Sequence, residues 1–401
     1  MSPEQIFIVD YEATCAAGSG MGEIRAALAQ QRSGLRANDF PGCDLPTWIG
    51  RVPAIDNYTF APELTHWQSR NNALIALGLQ TGQLRQQLQQ LVERFGSARI
   101  GVVMGSSTSS IDRSEEAYRY LDEAGQLPPE FVQENVLNPH APGLFVAELL
   151  GLDGPNMTVN TACSSSAKVF ATASRWLRAG IVDAVLVGGA DTLCQSVLYG
   201  FHSLQLVSEK PCRPFDGARD GINLGEAAGF ALLVRGDAGV AHLGIQVSGY
   251  GESSDAHHMS HPHPEGAGAR LAIEQALALA GLTPAQIDYI NLHGTASRAN
   301  DLIEGNLVGA MFPVSTLASS TKGWTGHTLG AAGILESIFA LEALVTGVVP
   351  GTLNLAEVDP EIAITMSPAN QTAALTHVMS NSFGFGGNNA CLIFSRAEVS
   401  A

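Results

Sequence analysis

Two segments of the chain resemble later segments of the same chain, and this internal repeat restricts the possible folds most. Residues 99–112 (RIGVVMGSSTSSID) and 289–301 (YINLHGTASRAND) each predict a buried strand that opens into a loop of Gly, Ser and Thr and closes on Asp. Segments 159–187 and 319–347 each place a small-residue loop before an amphipathic helix. Such similarity indicates a duplicated unit. We therefore predict two similar halves, residues 1–240 and 241–401.

Short β-branched runs alternate with longer helical patterns, which is typical of an α/β fold with a buried sheet. The 401 residues are enough for two domains of ordinary size. The predicted strands are Ile6–Val9, Arg99–Met104, Ala184–Val187, Ala228–Val234, Tyr289–Leu292 and Ala390–Phe394. The predicted helices are Ser164–Ala179, Gly266–Ala280 and Ala331–Thr346.

The composition excludes several classes of protein. A net charge of −17 without a Lys/Arg stripe disfavours nucleic-acid binding. The start of the chain lacks a basic segment followed by an apolar one, and no run of eighteen apolar residues predicts a membrane span. Six cysteines without a CxxC pair are typical of reduced thiols. We expect a cytoplasmic protein without a nucleic-acid partner or a membrane span.

Cys163 lies in VNTACSSSAKVF (159–170), where a helical pattern begins. A helix start concentrates unpaired N–H groups and the positive end of the helix dipole, which favour a thiolate. We therefore predict that Cys163 is a nucleophile whose small neighbours admit a substrate. The alternative is a buried structural cysteine, which fits Cys194 and Cys391 in their apolar, strand-like segments better.

Two histidines lie at junctions between predicted elements. His293 ends the strand YINLH, and His327 lies between glycines in TKGWTGHTLGAAG, ahead of a helix. A neutral imidazole at such a junction can donate one hydrogen bond into a crevice and accept another. Each histidine alone is more often structural, but together with Cys163 they predict a catalytic site.

Three charged residues lie close to these histidines in sequence. Lys322 precedes His327, while Asp301 and Glu304 follow His293. We expect a buried ion pair that holds the two histidine loops in register if every charge is hydrogen-bonded. A solvated surface position is the alternative for each residue alone.

Two further segments are rich in glycine or histidine. The three glycines of NSFGFGG (381–387) let a backbone N–H approach a substrate oxygen, but the segment is not a P-loop because it lacks the lysine and precedes a strand. Four histidines lie in DAHHMSHPHPEG (255–266), between His257 and His263. No acidic or cysteine ligand stands at matching spacing on a rigid element, so we expect a polar loop near a site mouth and no metal.

The motifs, in this order, resemble those of the β-ketoacyl-acyl-carrier-protein synthases, which are decarboxylating condensing enzymes of the thiolase superfamily. The resemblance covers nearly the whole chain. It implies a thiolase-like, five-layered αβαβα fold of two duplicated halves, of which the first carries the nucleophile and the second both histidines and a gating turn. The matching segments are TACSSS, CRPFDGARDGINLGEAAG, HGTASRAND, SSTKGWTGHTLGAAG and NSFGFGG.

The resemblance also implies a reaction, a decarboxylative Claisen condensation of an acyl thioester with malonyl-acyl-carrier protein. Cys163 is then the acylated nucleophile, and His293 and His327 assist the loss of carbon dioxide. Lys322 is expected to pair with Glu304. The gate is expected at Phe385, next to Phe383, and the backbone N–H groups of Phe385 and Cys163 are expected to form an oxyanion hole.

No cofactor is implied, because the substrates arrive on the phosphopantetheine of an acidic acyl carrier protein, for which Lys210 or Arg213 offers a docking charge. The resemblance implies a homodimer or a heterodimer with a related chain-length-factor subunit. Four residues depart from the usual family motifs and suggest a specialised polyene or polyketide-type branch: Ile222, Arg298, Asn300 and Asn388.

Two other functions remain open. A non-decarboxylating thiolase or acyl-CoA condensing enzyme needs a second catalytic cysteine near the C-terminus, and Cys391 lies beyond the glycine-rich turn in an apolar strand. A non-catalytic partner subunit loses its active cysteine, whereas this chain keeps Cys163 and both histidines. The sequence therefore favours the decarboxylating enzyme.

Overall fold

The computed structural model describes residues 5–131 and 134–397, and its main feature is a sheet of ten principal strands. Five strands belong to the first part of the chain: β1 (Ile6–Cys15), β2 (Ile100–Gly105), β3 (Asn156–Val159), β4 (Ala184–Asp191) and β5 (Ala227–Arg235). Five belong to the second part: β6 (Ile245–Ser254), β7 (Tyr289–Asn291), β8 (Leu317–Ser319), β9 (His377–Gly384) and β10 (Asn388–Arg396).

The strand order is the same in the two parts. It is β3-β2-β4-β5-β1 in the first and β8-β7-β9-β10-β6 in the second. In each part the four pairs of neighbouring strands repeat the same directions along this order: two parallel pairs are followed by two antiparallel pairs. The parts join where β1 pairs with β6 at Phe7 and Gln246. The duplication predicted from the repeat is therefore seen in the topology, while the boundary at residue 240 stays a prediction.

Helices cover both faces of each half-sheet. The helices are α1 (Met21–Ala29), α2 (Arg70–Leu79), α3 (Leu84–Phe95), α4 (Ile111–Tyr118), α5 (Glu134–Leu137), α6 (Ala141–Leu150), α7 (Ser165–Arg178), α8 (Gln195–Ser203), α9 (Ala267–Ala280), α10 (Arg298–Met311), α11 (Lys322–Thr325) and α12 (Ala332–Thr346). Helices α7 and α12 pack against strands of both halves, α2, α3 and α6 cover the outer face of the first, and α9 and α10 that of the second. The predicted five-layered thiolase-like arrangement is confirmed.

Side-chain alternation along the strands produces these layers. On β2, Val102 and Met104 belong to the core under the outer helices, while Val103 belongs to the core around α7 and α12. Successive strand residues point to opposite faces, so a strand that is apolar throughout is covered on both sides.

The described residues contain one helical stretch, Leu329–Thr346, that is long and apolar enough to cross a membrane. It includes α12, and 89% of it is buried inside the protein. A central core helix meets the same criteria of length and composition, so this stretch is explained by its place between the two half-sheets.

The loops that carry the predicted site residues follow the carboxyl ends of strands β3, β7, β8 and β9. The first of these strands runs parallel to β2, and β7 runs parallel to both β8 and β9. Ligands of α/β sheets bind outside the carboxyl ends of the strands. The fold therefore brings loops from both halves to one place.

Candidate active site

Cys163 lies in a tight turn between β3 and α7. Ala162 has a φ of +52°, a left-handed conformation that residues with a Cβ rarely adopt. The hydroxyl of Ser165 accepts the N–H of Thr161 at 2.9 Å and donates to the carbonyl of Ala162 at 2.6 Å. Cys163 is 6% exposed. The turn holds the sulfur just before the first residue of α7, as the sequence predicted.

His327 contacts the sulfur directly. Its Nε2 lies 3.1 Å from Cys163 Sγ, although 164 residues separate the two in sequence. The backbone N–H of His327 donates to the carbonyl of Asn223 at 2.7 Å, and its carbonyl accepts the N–H of Gly225 at 2.9 Å. The histidine lies ahead of a short turn, Leu329–Ala331, that leads into α12. Backbone contacts with the first half thus fix the imidazole against the thiol.

His293 completes the group and has a defined tautomer. Its ring centre lies 5.4 Å from that of His327, with the two planes nearly perpendicular. The Nζ of Lys322 lies 3.4 Å from Nδ1 of His293. An ammonium group only donates, so Nδ1 accepts and the proton of the neutral ring is on Nε2. His293 is therefore a hydrogen-bond donor through Nε2.

The predicted partner of Lys322 is wrong. Its ammonium group pairs with Glu336 of α12 and donates to the carbonyl of His293. The two carboxylate oxygens of Glu304 instead accept the backbone N–H groups of His293 and Gly294, each at 2.8 Å. Glu304 therefore binds the backbone of the His293 loop, while the carboxylate that pairs with Lys322 comes from α12.

Asp301 is also not a partner of Lys322. Its carboxylate accepts the backbone N–H groups of Phe215 at 2.7 Å and Ala296 at 3.2 Å, and one oxygen lies 3.9 Å from Nε of Arg219. Asp301 anchors the start of α10 to the segment that contains Phe215. Like Glu304, it supports the site through the backbone.

Sequence reasoning missed Glu336, although a signal for it was present. Glu336 lies in the middle of AGILESIFALEALVT, a helix that is otherwise largely apolar and is buried on nearly all sides. A carboxylate in such a position needs a buried partner. Lys322, fourteen residues earlier in the neighbouring motif, is the cation that pairs with this carboxylate.

The thiol of Cys163 is protonated at rest, contrary to the expected thiolate. Burial raises the pKa of Cys163 to about 11, although Lys322 and the backbone N–H of Phe385 lower it. Burial, followed by the charge of Lys322, holds the pKa values of His293 and His327 well below the usual range. Burial is the largest influence on the pKa of this thiol and outweighs the charge of Lys322 and the hydrogen bond from Phe385. The resting site therefore holds a neutral thiol and neutral imidazoles.

We expect the alkylation of Cys163 by iodoacetamide to be slow at neutral pH. Its rate should rise about tenfold per pH unit and level off only near pH 11, because the thiolate is the reacting form. Peptide mass spectrometry identifies the alkylated cysteine at each pH, with stability checked by circular dichroism. A midpoint below pH 9 would contradict the assignment of burial as the dominant effect.

The glycine-rich turn brings a second N–H to the sulfur. The backbone N–H of Phe385 is directed at Cys163 and lowers the pKa of its thiol. A Cβ on Gly384 would lie 3.1 Å from the backbone nitrogen of Cys163, so glycine permits this approach. The ring of Phe385 stacks on that of Phe201 with their centres 5.5 Å apart, and the ring centre of Phe383 lies 6.0 Å from that of His293. The geometry matches an oxyanion hole behind an aromatic side chain.

A cavity of about 390 Å³ opens at this group, and Cys163, His293 and His327 all line it. The histidine-rich loop forms part of its wall through residues 259–262. Its carbonyl at Met259 accepts the N–H of Gly386 at 2.7 Å. The prediction of a polar loop near the site mouth is confirmed, and neither Cys194 nor Cys391 lines the cavity.

One group of potential metal ligands occurs among residues 5–131 and 134–397. Its members are the Cys163 sulfur and ring nitrogens of His293 and His327, which lie within 4.8 Å of one another. The histidines of the loop between His257 and His263 do not form such a group there. The three atoms are arranged instead as a nucleophile beside two imidazoles that face one cavity.

Two sequence profiles match the chain. The profile described as beta-ketoacyl synthase, N-terminal domain, matches residues 73–238, and the one described as beta-ketoacyl synthase, C-terminal domain, matches residues 245–356. The 3-oxoacyl-[acyl-carrier-protein] synthase 2 of Vibrio cholerae is 36% identical over 76% of this chain and 78% of its own length. The mitochondrial 3-oxoacyl-[acyl-carrier-protein] synthase of Arabidopsis thaliana is 37% identical over 74% and 68%.

Solved structures resemble the whole fold. One is a chain of the complex of the ketosynthase ApeO with its chain length factor ApeC from Xenorhabdus doucetiae, with a TM-score of 0.87, 36% identity and 98% of each chain covered. Another belongs to the ishigamide ketosynthase/chain length factor, with a TM-score of 0.89, 26% identity and the same coverage. Similarity thus extends beyond the matched profiles to nearly all of the chain.

Proposed function

This chain belongs to the beta-ketoacyl synthase family, and we propose that Cys163, His293 and His327 are its catalytic residues. The enzyme is a condensing acyltransferase: it joins an acyl thioester to malonyl-acyl-carrier protein, releases carbon dioxide and gives a β-ketoacyl-carrier protein. One observation supports the residue roles most, namely that a thiol from the first half meets two imidazoles from the second in one cavity.

The first step is acyl transfer to Cys163. The thiol proton moves to Nε2 of His327 at 3.1 Å as the sulfur attacks the thioester carbonyl. The backbone N–H groups of Cys163 and Phe385 stabilise the oxyanion. The tetrahedral intermediate expels the pantetheine thiolate, which takes the proton from His327, so the products are an acyl-Cys163 thioester and a free carrier thiol.

The second step uses a malonyl thioester. His293 donates through Nε2 to the thioester oxygen as the bond to the carboxylate breaks and carbon dioxide leaves, and the electron pair forms an enolate. Acylated Cys163 has no proton to share with His327. The neutral ring of His327 shifts its one proton from Nδ1 to Nε2 by tautomerisation and is then the second donor. The enolate carbon attacks the acyl thioester, and the Cys163 thiolate leaves with the electron pair of the broken bond. The thiolate takes the Nε2 proton of His327, solvent returns one proton to that ring, and the β-ketoacyl product remains on the carrier.

The experiment that tests this function uses malonyl-carrier protein labelled in its free carboxyl group, together with an acyl-carrier protein. We expect labelled carbon dioxide and β-ketoacyl product in a 1:1 ratio. Acetyl-CoA replaces malonyl-carrier protein in the control reaction and should give no product. Condensation of two acetyl groups without carbon dioxide would support the thiolase alternative and overturn the proposal.

The thiolase alternative has little structural support. Cys391 lies inside β10, where it pairs with Asn381 and Gly251 on the neighbouring strands, and it is fully buried. Burial raises the pKa of its thiol above the usual range. A second catalytic thiol would have to reach the same substrate, and Cys391 is not in the wall of the cavity.

The acyl carrier protein and a related second subunit are the partners we propose, forming a homodimer or a heterodimer with a chain-length factor. Lys210 is exposed and Arg213 is partly exposed, so both can meet an acidic carrier protein. We also propose that the protein acts in the cytoplasm. The proposed reaction needs no cofactor, because the chemistry above uses only side chains and carrier-bound substrates.

The specialised branch suggested by the sequence has support in the cavity wall. Three of the four residues that depart from the family motifs line it, namely Ile222, Arg298 and Asn300. The fourth, Asn388, follows the glycine-rich turn directly and accepts from Nζ of Lys168 at 3.3 Å. Changes concentrated around the substrate path alter the choice of acyl chain more than the chemistry. We propose an acyl chain of the polyene or polyketide type.

A further inference from the structure

Asp191, the last residue of β4, is a fully buried carboxylate that takes no part in the steps above. Its Oδ1 accepts the hydroxyls of Ser106 and Thr108, both at 2.6 Å, and the N–H of Thr108 at 2.9 Å. Its Oδ2 accepts the hydroxyl and N–H of Ser107 at 2.7 and 2.9 Å, and the N–H of Gly330 at 2.6 Å. These donors are all uncharged and come from two separate loops.

Gly330 places this carboxylate next to the catalytic histidine. It lies in the turn Leu329–Ala331, three residues after His327. Leu329 has a φ of +56°, a strained conformation that persists only where neighbouring contacts hold it. A Cβ on Gly330 would lie 2.6 Å from Asp191 Oδ2 and 2.5 Å from the nitrogen of Ser107. The turn is therefore pressed against the carboxylate.

The chain around His327 is held on both sides. At His327 itself, the backbone N–H donates to the carbonyl of Asn223 and the carbonyl accepts the N–H of Gly225. After it, the N–H of Gly330 donates to Asp191 at 2.6 Å and to the hydroxyl of Ser107 at 3.1 Å, and these bonds tie the turn to the first half. Removal of that second anchor would free the strained turn and let the imidazole move away from Cys163.

We propose that Asp191 is a positioning residue that holds the imidazole of His327 against the sulfur of Cys163. The proposal rests on the proposed function, since it concerns the geometry of the same reaction. Asp191 acts through the Gly330 turn and touches neither substrate nor reacting atoms. It ties the loop 106–108 of the first half to the turn that carries a catalytic group of the second.

The charge of Asp191 provides an independent readout. Its negative charge, together with that of Glu336, adds to burial in raising the pKa of Cys163. Other charged or titratable groups around the thiol are Lys322, which lowers this pKa, and the two imidazoles. Loss of the carboxylate charge should therefore move the alkylation profile of Cys163 to lower pH, which tests the placement of this charge separately from kcat.

Asp191→Asn is the main test, because it keeps the size of the side chain but replaces one acceptor oxygen by a donor that faces other donors. We expect kcat for condensation to fall at least 30-fold with KM within twofold. The pH midpoint of Cys163 alkylation should fall by at least half a unit. Wild-type kcat, or a lower kcat with an unchanged midpoint, would overturn the proposal.

A milder variant keeps the test decisive if Asp191→Asn does not fold. Ser107→Ala removes one hydroxyl that donates to Oδ2 and accepts from Gly330 at 3.1 Å, so we expect kcat to fall three- to tenfold. Ser109→Ala is the matched control, because its hydroxyl contacts only the carbonyl of Asn138 at 3.4 Å and not Asp191. Equal rates for the two variants would overturn the proposal. Alkylation needs no acyl substrate, so it tests Asp191 even if the condensation assay disproves the proposed function.

Discussion

Replacement of Cys163 by alanine should abolish the acyl-enzyme and lower condensation by about 10⁴-fold or more, as expected when a covalent nucleophile is removed. Intact mass spectrometry after incubation with an acyl-carrier protein measures the adduct directly. The wild-type protein should gain the mass of one acyl group, and the variant should gain none. The effect is large because Cys163 is the one thiol that lines the cavity among residues 5–131 and 134–397.

Cys391→Ala is the matched control for this experiment. Cys391 is buried in β10, outside the cavity, so its replacement should leave the adduct and the condensation rate within about twofold of wild type. An acyl adduct that persists in Cys163→Ala would refute the assignment of the nucleophile. Loss of activity in a folded Cys391→Ala protein would revive the thiolase alternative.

Replacement of His293 by alanine should separate the two half-reactions. Release of carbon dioxide should fall by about 10²- to 10⁴-fold, because the donor at Nε2 that stabilises the enolate is lost. Acylation of Cys163 should change much less, because it is His327, not His293, whose nitrogen lies 3.1 Å from the sulfur. Labelled carbon dioxide and the rate of adduct formation give the two quantities.

Two further variants define the result for His293. His327→Ala should slow both half-reactions, since this imidazole first takes the thiol proton and later donates to the enolate. His66→Ala is a surface control, because its side chain is 45% exposed, pairs with the similarly exposed Glu148 and does not line the cavity. Equal losses in acylation and decarboxylation for His293→Ala would contradict the division of roles between the two imidazoles.

Much of the fold could be predicted because strong local patterns survive in the sequence. Strands such as β2 and β5 are apolar on both faces, and α7 and α12 have clear helical patterns, so all of them were found within a few residues of their observed bounds. The repeat indicated the duplication because both halves place similar loops after the equivalent strands.

Four of the ten principal strands were not predicted, because two of them are short and the other two lack a continuous apolar pattern. Strands β3 and β8 have only four and three residues. In β6 the inward positions Gly249 and Gly251 are glycines because the backbone of α9 lies against them, and a Cβ there would lie 2.2 and 1.9 Å from its carbonyl oxygens. Close packing thus removed the apolar side chains that reveal a strand. In β9, buried Ser380, Asn381 and Ser382 interrupt the apolar pattern.

The catalytic group was predicted, but its electrostatics were not. The motifs around Cys163, His293 and His327 are local, whereas the choice of Glu336 over Glu304 as the partner of Lys322 depends on which helix faces the ammonium group. The depth of burial that keeps the thiol protonated is likewise a property of the assembled cavity. No spacing along the chain encodes these distances.

The division of the site between the halves has a consequence for protein synthesis. A ribosome produces Cys163 well before His327, which follows 164 residues later, and the turn at Phe385 comes later still. A nascent chain therefore carries a buried or unassisted thiol with no partner imidazole and no complete oxyanion hole. The proposed condensation therefore requires that translation has supplied both halves.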